Sequence, residues 1–249
     1  MIEEVLERGE TAALVTRVTG PGTIGAKLLV QEKGIVTGSL GDAELDSAVL
    51  AQAASFLASR EETRLVNLSS FDTSLLFERL QPAPRLVVCG AGHVGASLAK
   101  LAAFTGYQTT LLDDRAEFLD RDRFPEKQIE LVVAADWTSA VRDAVGNGRG
   151  VSVAVVTRGH NEDEQCMQAV VRANPDYVGL IGSKRRTSIV IERLREAGVP
   201  DEQLKKIHAP IGLDIGAVTP EEVALAILAE IVAQRRGAPG GSLSTWRRQ

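Results

Sequence analysis

Histidine, cysteine and aromatic side chains are scarce in this chain: of 249 residues, three are His, two are Cys, and 4% are Phe, Trp or Tyr. Cys89 and Cys166 are too few and too far apart in sequence for a disulfide framework or a cysteine zinc site, and they suit a reducing, cytoplasmic setting. No two histidines have H-x-x-x-H spacing and no C-x-x-C occurs, so no structural metal is expected. No apolar run approaches the roughly 18 residues of a membrane span. The amino-terminal MIEEVLERGE is acidic and lacks the apolar core of an export signal. Excess positive charge is missing too: 28 Lys and Arg against 33 Asp and Glu give a formal charge of −5, which disfavours nucleic acid. There is neither a G-x-S-x-G nucleophile elbow nor a Walker A loop.

What is present suffices for packed structure. With 44% hydrophobic and 24% charged residues the chain can build a core and remain dissolved. Its length allows two modest domains, and the stiff stretch Gln81-Pro82-Ala83-Pro84 reads as the junction between them. Residues 1–80 form a small α+β unit: strands over 12–18, 27–30 and 34–38, a hairpin turn at Glu32-Lys33-Gly34, a helix over 42–58 with Leu45, Val49, Ala53 and Phe56 on one face, and a strand over 63–68. From 85 to 236 the rhythm is α/β. Apolar strands over 85–89, 107–112, 130–133, 151–156 and 177–181 alternate with helical patterns, which predicts a Rossmann-like parallel sheet with helices on both faces. The last helix starts on Thr219 as N-cap, Pro220 and Glu222, a capping-box pattern. Residues 237–249, rich in Gly, Ser and Arg, are expected to be mobile unless a partner buries Trp246.

Candidate site residues follow the strands. Gly90-Ala91-Gly92-His93-Val94-Gly95 has the spacing of a dinucleotide-binding turn: Gly90 for the tight turn, Gly92 for backbone approach to a pyrophosphate, Gly95 for helix–sheet packing. Asp113, 23 residues after Gly90, is placed to accept from a ribose hydroxyl, which would favour NAD over NADP. His93 faces a ligand, caps the helix or meets solvent, whereas Cys89 reads as a small buried hydrophobe. Thr157-Arg158-Gly159-His160 is a polar block after an apolar strand, with His160 as the site candidate and Glu162 and Asp163 as ordinary first-turn acids. Ser183, Lys184, Arg185 and Arg186 put a cap and three cations at a helix start, an arrangement that suits a bound phosphate. His208 and Asp214 stand in an irregular stretch between two helices as positioned polar groups.

Together these blocks resemble the XdhC/CoxI family, accessory proteins of molybdenum hydroxylases such as xanthine dehydrogenase and carbon monoxide dehydrogenase. The matching residues are Cys89–Val94, Asp113-Asp114-Arg115 with Phe124-Pro125, Thr157–His160, Gly179–Arg185, Ile207–Gly216 and Thr219–Glu222, in order. The resemblance implies a carboxy-terminal Rossmann domain behind a smaller amino-terminal one. It also implies molybdenum-cofactor binding, with help in sulfuration and insertion into an apo molybdenum hydroxylase. A cysteine desulfurase and the target enzyme would be partners, and a homo-oligomer is compatible with it. Gly25–Val30 and Gly38–Gly41 resemble the family's first-domain signatures, but Glu44 stands where members commonly carry a cysteine. The alternative function is an NAD-dependent oxidoreductase or an NAD-responsive regulator using the same glycine loop. A Lys–His or Tyr–Lys hydride-transfer constellation is not recognisable beside it.

Overall fold

The computed structural model describes residues 2–7, 9–59 and 61–244, and the chain divides into two compact units, Met1–Pro82 and Ala83–Gln249. In the first unit, α1 (Ile2–Glu7), β1 (Ala12–Thr19), β2 (Lys27–Gln31), β3 (Val36–Ser39), α2 (Ala43–Ala58), β4 (Thr63–Leu68) and β5 (Thr73–Leu80) follow in order. The strands form one antiparallel sheet, β3-β2-β1-β5-β4. Alternation decides its two faces: Ala13, Val15, Leu28, Val30, Leu75 and Phe77 meet Leu45, Val49, Ala53 and Phe56 of α2. Ala12, Leu14 and Leu29 turn the other way, toward Val5 of α1. The Asp42 carboxylate caps α2, accepting from the N–H groups of Glu44 and Leu45 at 2.9 and 3.1 Å.

β5 and α1 are not anticipated by the sequence pattern. β5 carries the charged pair Glu78-Arg79 and lacks β-branched residues beyond Thr73, so its strand character comes from its neighbours: it is hydrogen-bonded on both sides, to β1 and β4. Arg79 is also the C-terminal cap of α2, donating from one Nη to the carbonyls of Phe56, Leu57 and Ser59 at 2.8, 3.1 and 2.9 Å.

The second unit runs β6 (Arg85–Cys89), α3 (His93–Phe104), β7 (Gln108–Asp113), β8 (Ile129–Val133), α4 (Trp137–Val145), β9 (Val151–Val155), α5 (His160–Ala173), β10 (Tyr177–Leu180), α6 (Lys184–Glu196), α7 (Asp201–Leu204), β11 (Ile207–His208) and α8 (Pro220–Arg235). All six strands are parallel, in the order β11-β10-β9-β6-β7-β8. This is the doubly wound Rossmann order, with its topological switch point between β6 and β9. The α/β expectation holds, including the parallel register from Arg85↔Gln108 to Cys89↔Leu112. Leu86 and Val88 pack under α3 and α8, while Val87 and Cys89 pack under α4, α5 and α6, so the strand is apolar throughout because both faces are covered. The capping box at Thr219 and Glu222 forms as read. The tail expected to be mobile falls partly on 245–249, which lie outside the described residues.

Because β5 is central to the first unit and Phe77 is fully buried against Phe56 at a ring separation of 5.8 Å, Phe77→Ala should destabilise that unit by about 3–5 kcal/mol. Urea unfolding checks this. A loss below about 1 kcal/mol would mean that Phe77 is not part of the packed core.

Candidate functional site at the carboxyl edge of the parallel sheet

The glycine loop leaves β6 at the switch point, and its three glycines are there for different reasons. Gly90 has φ +113°, and a Cβ there would lie 2.6 Å from the Val156 carbonyl oxygen. A Cβ on Gly95 would overlap the Gly90 carbonyl, so only glycine lets α3 pack this closely on its own entry loop. Gly92 is not required by packing: its φ is −63° and a Cβ there would meet nothing within 4 Å. Gly92 is also the N-cap of α3, and no side chain caps that helix. The α3 N-terminus therefore presents its N–H dipoles beside open space. His93 is the first helical residue and is exposed.

Asp113, at the end of β7, holds this loop in place. Its side chain is 1% exposed, and four donors reach it: Ala91 N–H at 2.7 Å, Arg115 N–H at 3.0 Å, and Arg115 Nε and Nη at 2.8 and 3.0 Å. Two carboxylate oxygens offer about four lone-pair sites, so the inventory is full. In this arrangement a ribose hydroxyl would reach Asp113 only by displacing the loop or Arg115. Burial alone would push the Asp113 carboxyl up, but the Arg115 and backbone hydrogen bonds outweigh it and hold the carboxyl below the usual range. The guanidinium of Arg115 lies 3.7 Å from the Phe118 ring centroid, which fixes it from the other side.

The loop after β9 is organised by an acid that the sequence pattern marks as ordinary. Asp163 is fully buried, accepts from Thr157 Oγ1 at 2.5 Å, and takes Arg186 Nε at 3.1 Å. Arg186 is thereby committed to joining α6 to α5. Lys184 and Arg185 are exposed and, among the described residues, make no ion pair. Ser183 caps α6 by accepting the Arg186 N–H at 3.3 Å. Arg158 reaches both oxygens of Asp114, at 2.9 and 3.3 Å. Since β6 lies between β7 and β9, this ion pair arches from one flanking loop to the other across the carboxyl end of β6. The signal for Asp163 is the Thr-x-x-x-x-x-Asp spacing across a helix start, which reads identically for a solvated acid.

The structure places the starts of α3, α5 and α6 on one edge of the sheet, each directly after a neighbouring strand. His160 opens α5, behind Gly159, a second N-cap without a side-chain hydrogen bond. The His160 side chain lies outside the described residues. His208 is the last residue of β11. It sits opposite Gly179 within the ladder, its ring 4.6 Å from that of Tyr177 at the start of β10, with Nδ1 3.3 Å from Glu230 Oε1 on α8. Tyr177 Oη and Gly212 N–H complete the Glu230 shell at 2.5 and 2.9 Å. Through the Glu230 contact, His208 Nδ1 ties the last strand to the last helix. Asp214 is exposed in the loop that follows. Among the described residues no group of three or more His, Cys, Asp or Glu side chains is arranged to hold a metal ion.

Residues 86–231 match the family model of the XdhC Rossmann domain, and residues 5–69 match that of the XdhC and CoxI family. This chain belongs to the XdhC/CoxI family. It is 31% identical over 179 residues to a probable xanthine dehydrogenase subunit from Bacillus subtilis, covering 69% of this chain and 49% of that protein. It is 28% identical over 169 residues to the molybdenum cofactor insertion chaperone PaoD of Escherichia coli, covering 68% and 44%. An uncharacterized E. coli protein, YqeB, is 35% identical over 158 residues, covering 64% and 28%. The chain thus spans less than half the length of each of these relatives. A crystal structure of a xanthine dehydrogenase from Bacillus halodurans shares the fold at TM-score 0.71 and 20% identity, over 95% of this chain and 65% of that one.

The thiols of this XdhC/CoxI chain are withdrawn from its surface. Glu44, at the position where the resemblance implies a cysteine, is exposed in the first turn of α2. Cys89 and Cys166 are both fully buried. The Cys89 hydrogen bond, and then burial, push the Cys166 thiol far up, so it stays protonated and unreactive.

Gly95→Ala should cost about 3 kcal/mol of stability from the clash with the Gly90 carbonyl, whereas Gly92→Ala should stay within about 0.5 kcal/mol. Chemical denaturation of the two variants checks the contrast, and equal losses would show that Gly92 is required by the fold after all. Asp113→Asn should lose about 2–4 kcal/mol near neutral pH, since one partner of a buried charge-assisted network is removed. The native carboxyl is depressed, so its contribution is complete above the unfolded value of about 4 and is lost as pH falls through the lower folded value. The stability gap between wild type and Asp113→Asn should therefore close only below about pH 4. A gap that closed between pH 5 and 7 would contradict this assignment.

Proposed function

We propose that this chain is an accessory protein that binds molybdenum cofactor and delivers it to an apo molybdenum hydroxylase. The observation that carries the reading is the uncapped start of α3 at the switch point, where Gly92 leaves open space that packing does not require. The site fits a phosphorylated pterin. The N–H groups at the helix start receive a phosphate, and the exposed Lys184 and Arg185 neutralise it from the next helix start but one. Gly90 and Gly95 fix the approach of the backbone, and His93, His160 and Ser183 stand at the starts of α3, α5 and α6. The cofactor would supply the molybdenum redox chemistry of the acceptor enzyme; this chain's part is to hold, cover and release it. The likeness to PaoD, a molybdenum cofactor insertion chaperone, supports the same reading.

Sulfuration needs a sulfur carrier, and neither buried thiol of this chain suits one. The sulfur then comes from a partner cysteine desulfurase while the cofactor is held. The NAD-dependent alternatives lose their main support with Asp113, whose lone pairs are occupied by Ala91 and Arg115.

The test is anaerobic competition between molybdenum cofactor and NAD on the purified chain, followed by transfer to an apo-hydroxylase. Lys184→Ala with Arg185→Ala should weaken cofactor binding about 10- to 100-fold and flatten its salt dependence. Saturable NAD binding with substrate turnover, and no cofactor binding or transfer, would overturn the proposal. Affinity unchanged at low salt in the double variant would remove Lys184 and Arg185 from the site.

A further inference from the structure

A second, separate feature lies wholly within the first unit. Arg17 stands on β1 in the same alternation as Ala13 and Val15, so its side chain enters the face covered by α2, and the residue is 3% exposed. Arginine is rarely buried this completely without an anionic partner. Among the described residues Arg17 has no carboxylate within ion-pair distance. Its Nη1 donates to the Pro21 carbonyl, and its Nε is buried with no partner. The acids at the start of α2 are engaged elsewhere: Asp46 accepts from Ser39 Oγ and Leu40 N–H at 2.7 and 2.8 Å, and Asp42 caps α2.

The segment above this guanidinium is glycine-rich. Between Thr19 and Lys27 the chain reads Gly20-Pro21-Gly22-Thr23-Ile24-Gly25-Ala26, closed by Arg17 N–H to the Ala26 carbonyl at 3.0 Å and Gly25 N–H to the Arg17 carbonyl at 2.8 Å. A Cβ on Gly22, at φ +98°, would overlap Arg17 Nη1, so this loop rests directly on the guanidinium. With Nη1 turned to Pro21, the Nε–Nη2 edge remains: two parallel N–H donors in the side-on fork that matches an oxyanion. Lys27, exposed at the loop's end with Nζ 3.1 Å from Thr16 Oγ1, adds a second positive charge there.

We propose that Arg17, under the Gly20–Gly25 loop, is a binding site for an oxyanion group, phosphoryl or carboxylate, distinct from the carboxyl-edge site of the second unit. The loop residues 20–25 are themselves exposed, so their movement gives the anion its route to the fork.

The test follows thermal unfolding of the full chain with inorganic phosphate, acetate or chloride at matched ionic strength. It is run on wild type, on the Lys184→Ala/Arg185→Ala double variant, and on that double variant with Arg17→Met or Arg17→Lys added. Saturating phosphate or acetate should raise the wild-type midpoint by several degrees over chloride, and the better of the two identifies the anion class. The double variant should keep a shift, Arg17→Met in the double-variant background should lose it, and Arg17→Lys in that background should need at least about tenfold more anion, because a lysine cannot form the fork. No anion-specific shift in the double variant, or one that survives Arg17→Met in that background, would overturn the proposal. If Arg17→Met does not fold, the buried Arg Nε–Hε resonance of the 15N-labelled wild-type chain decides: saturable movement with anion supports the site, and an unmoved resonance overturns it.

Discussion

Four donors converge on the Asp113 carboxylate, and the geometry of the carboxyl edge depends on them. One donor is the N–H of Ala91, in the middle of the glycine loop; three come from Arg115, two residues beyond the strand. The carbonyl of Ala91 is engaged as well, by Arg123 at 3.4 Å. The loop is thus held at both the N–H and the C=O of Ala91, while Gly90 and Gly95 bring it against β9 and α3. The acid thereby fixes the shape of the glycine loop at the carboxyl edge.

The sequence disclosed most of the second unit because its local signals agree with one another. Leu86, Val87, Val88 and Cys89 are apolar in succession since both faces of β6 are covered, and Thr219, Pro220 and Glu222 mark a helix start that needs no tertiary help. β5 was hidden because Thr73–Leu80 becomes a strand through pairing with β1 and β4, a non-local cause that no window contains. Functional side chains were harder for the same reason. His208 and Asp113 read as candidate site groups, and Asp163 as an ordinary first-turn acid. Only the neighbours supplied by other elements, Glu230, Ala91 with Arg115, and Thr157 with Arg186, show that each is already in use. Gly92 is the converse case: the motif already gives the three glycines different roles, and the open space beside Gly92 shows that packing does not require a glycine there.

The two units handle charge in opposite ways. In the second, the buried acids Asp113 and Asp163 each have an arginine, so their cost of desolvation is offset internally. In the first, Arg79 commits its donors to the carbonyls at the end of α2, and Arg17 is left with a single carbonyl for a full positive charge. Exposed cations such as Lys184 and Arg185 cost nothing to leave unpaired in water, whereas a buried one does.

The Arg158–Asp114 bridge over the end of β6 has an energetic corollary. Its side chains are 48% and 32% exposed, and ion pairs so wetted contribute about 0–1 kcal/mol. A latch of that strength changes an equilibrium by no more than about fivefold. It therefore cannot decide whether cargo is held. What it contributes is a weak, wetted link between the loops after β7 and β9, one that loosens as ionic strength rises.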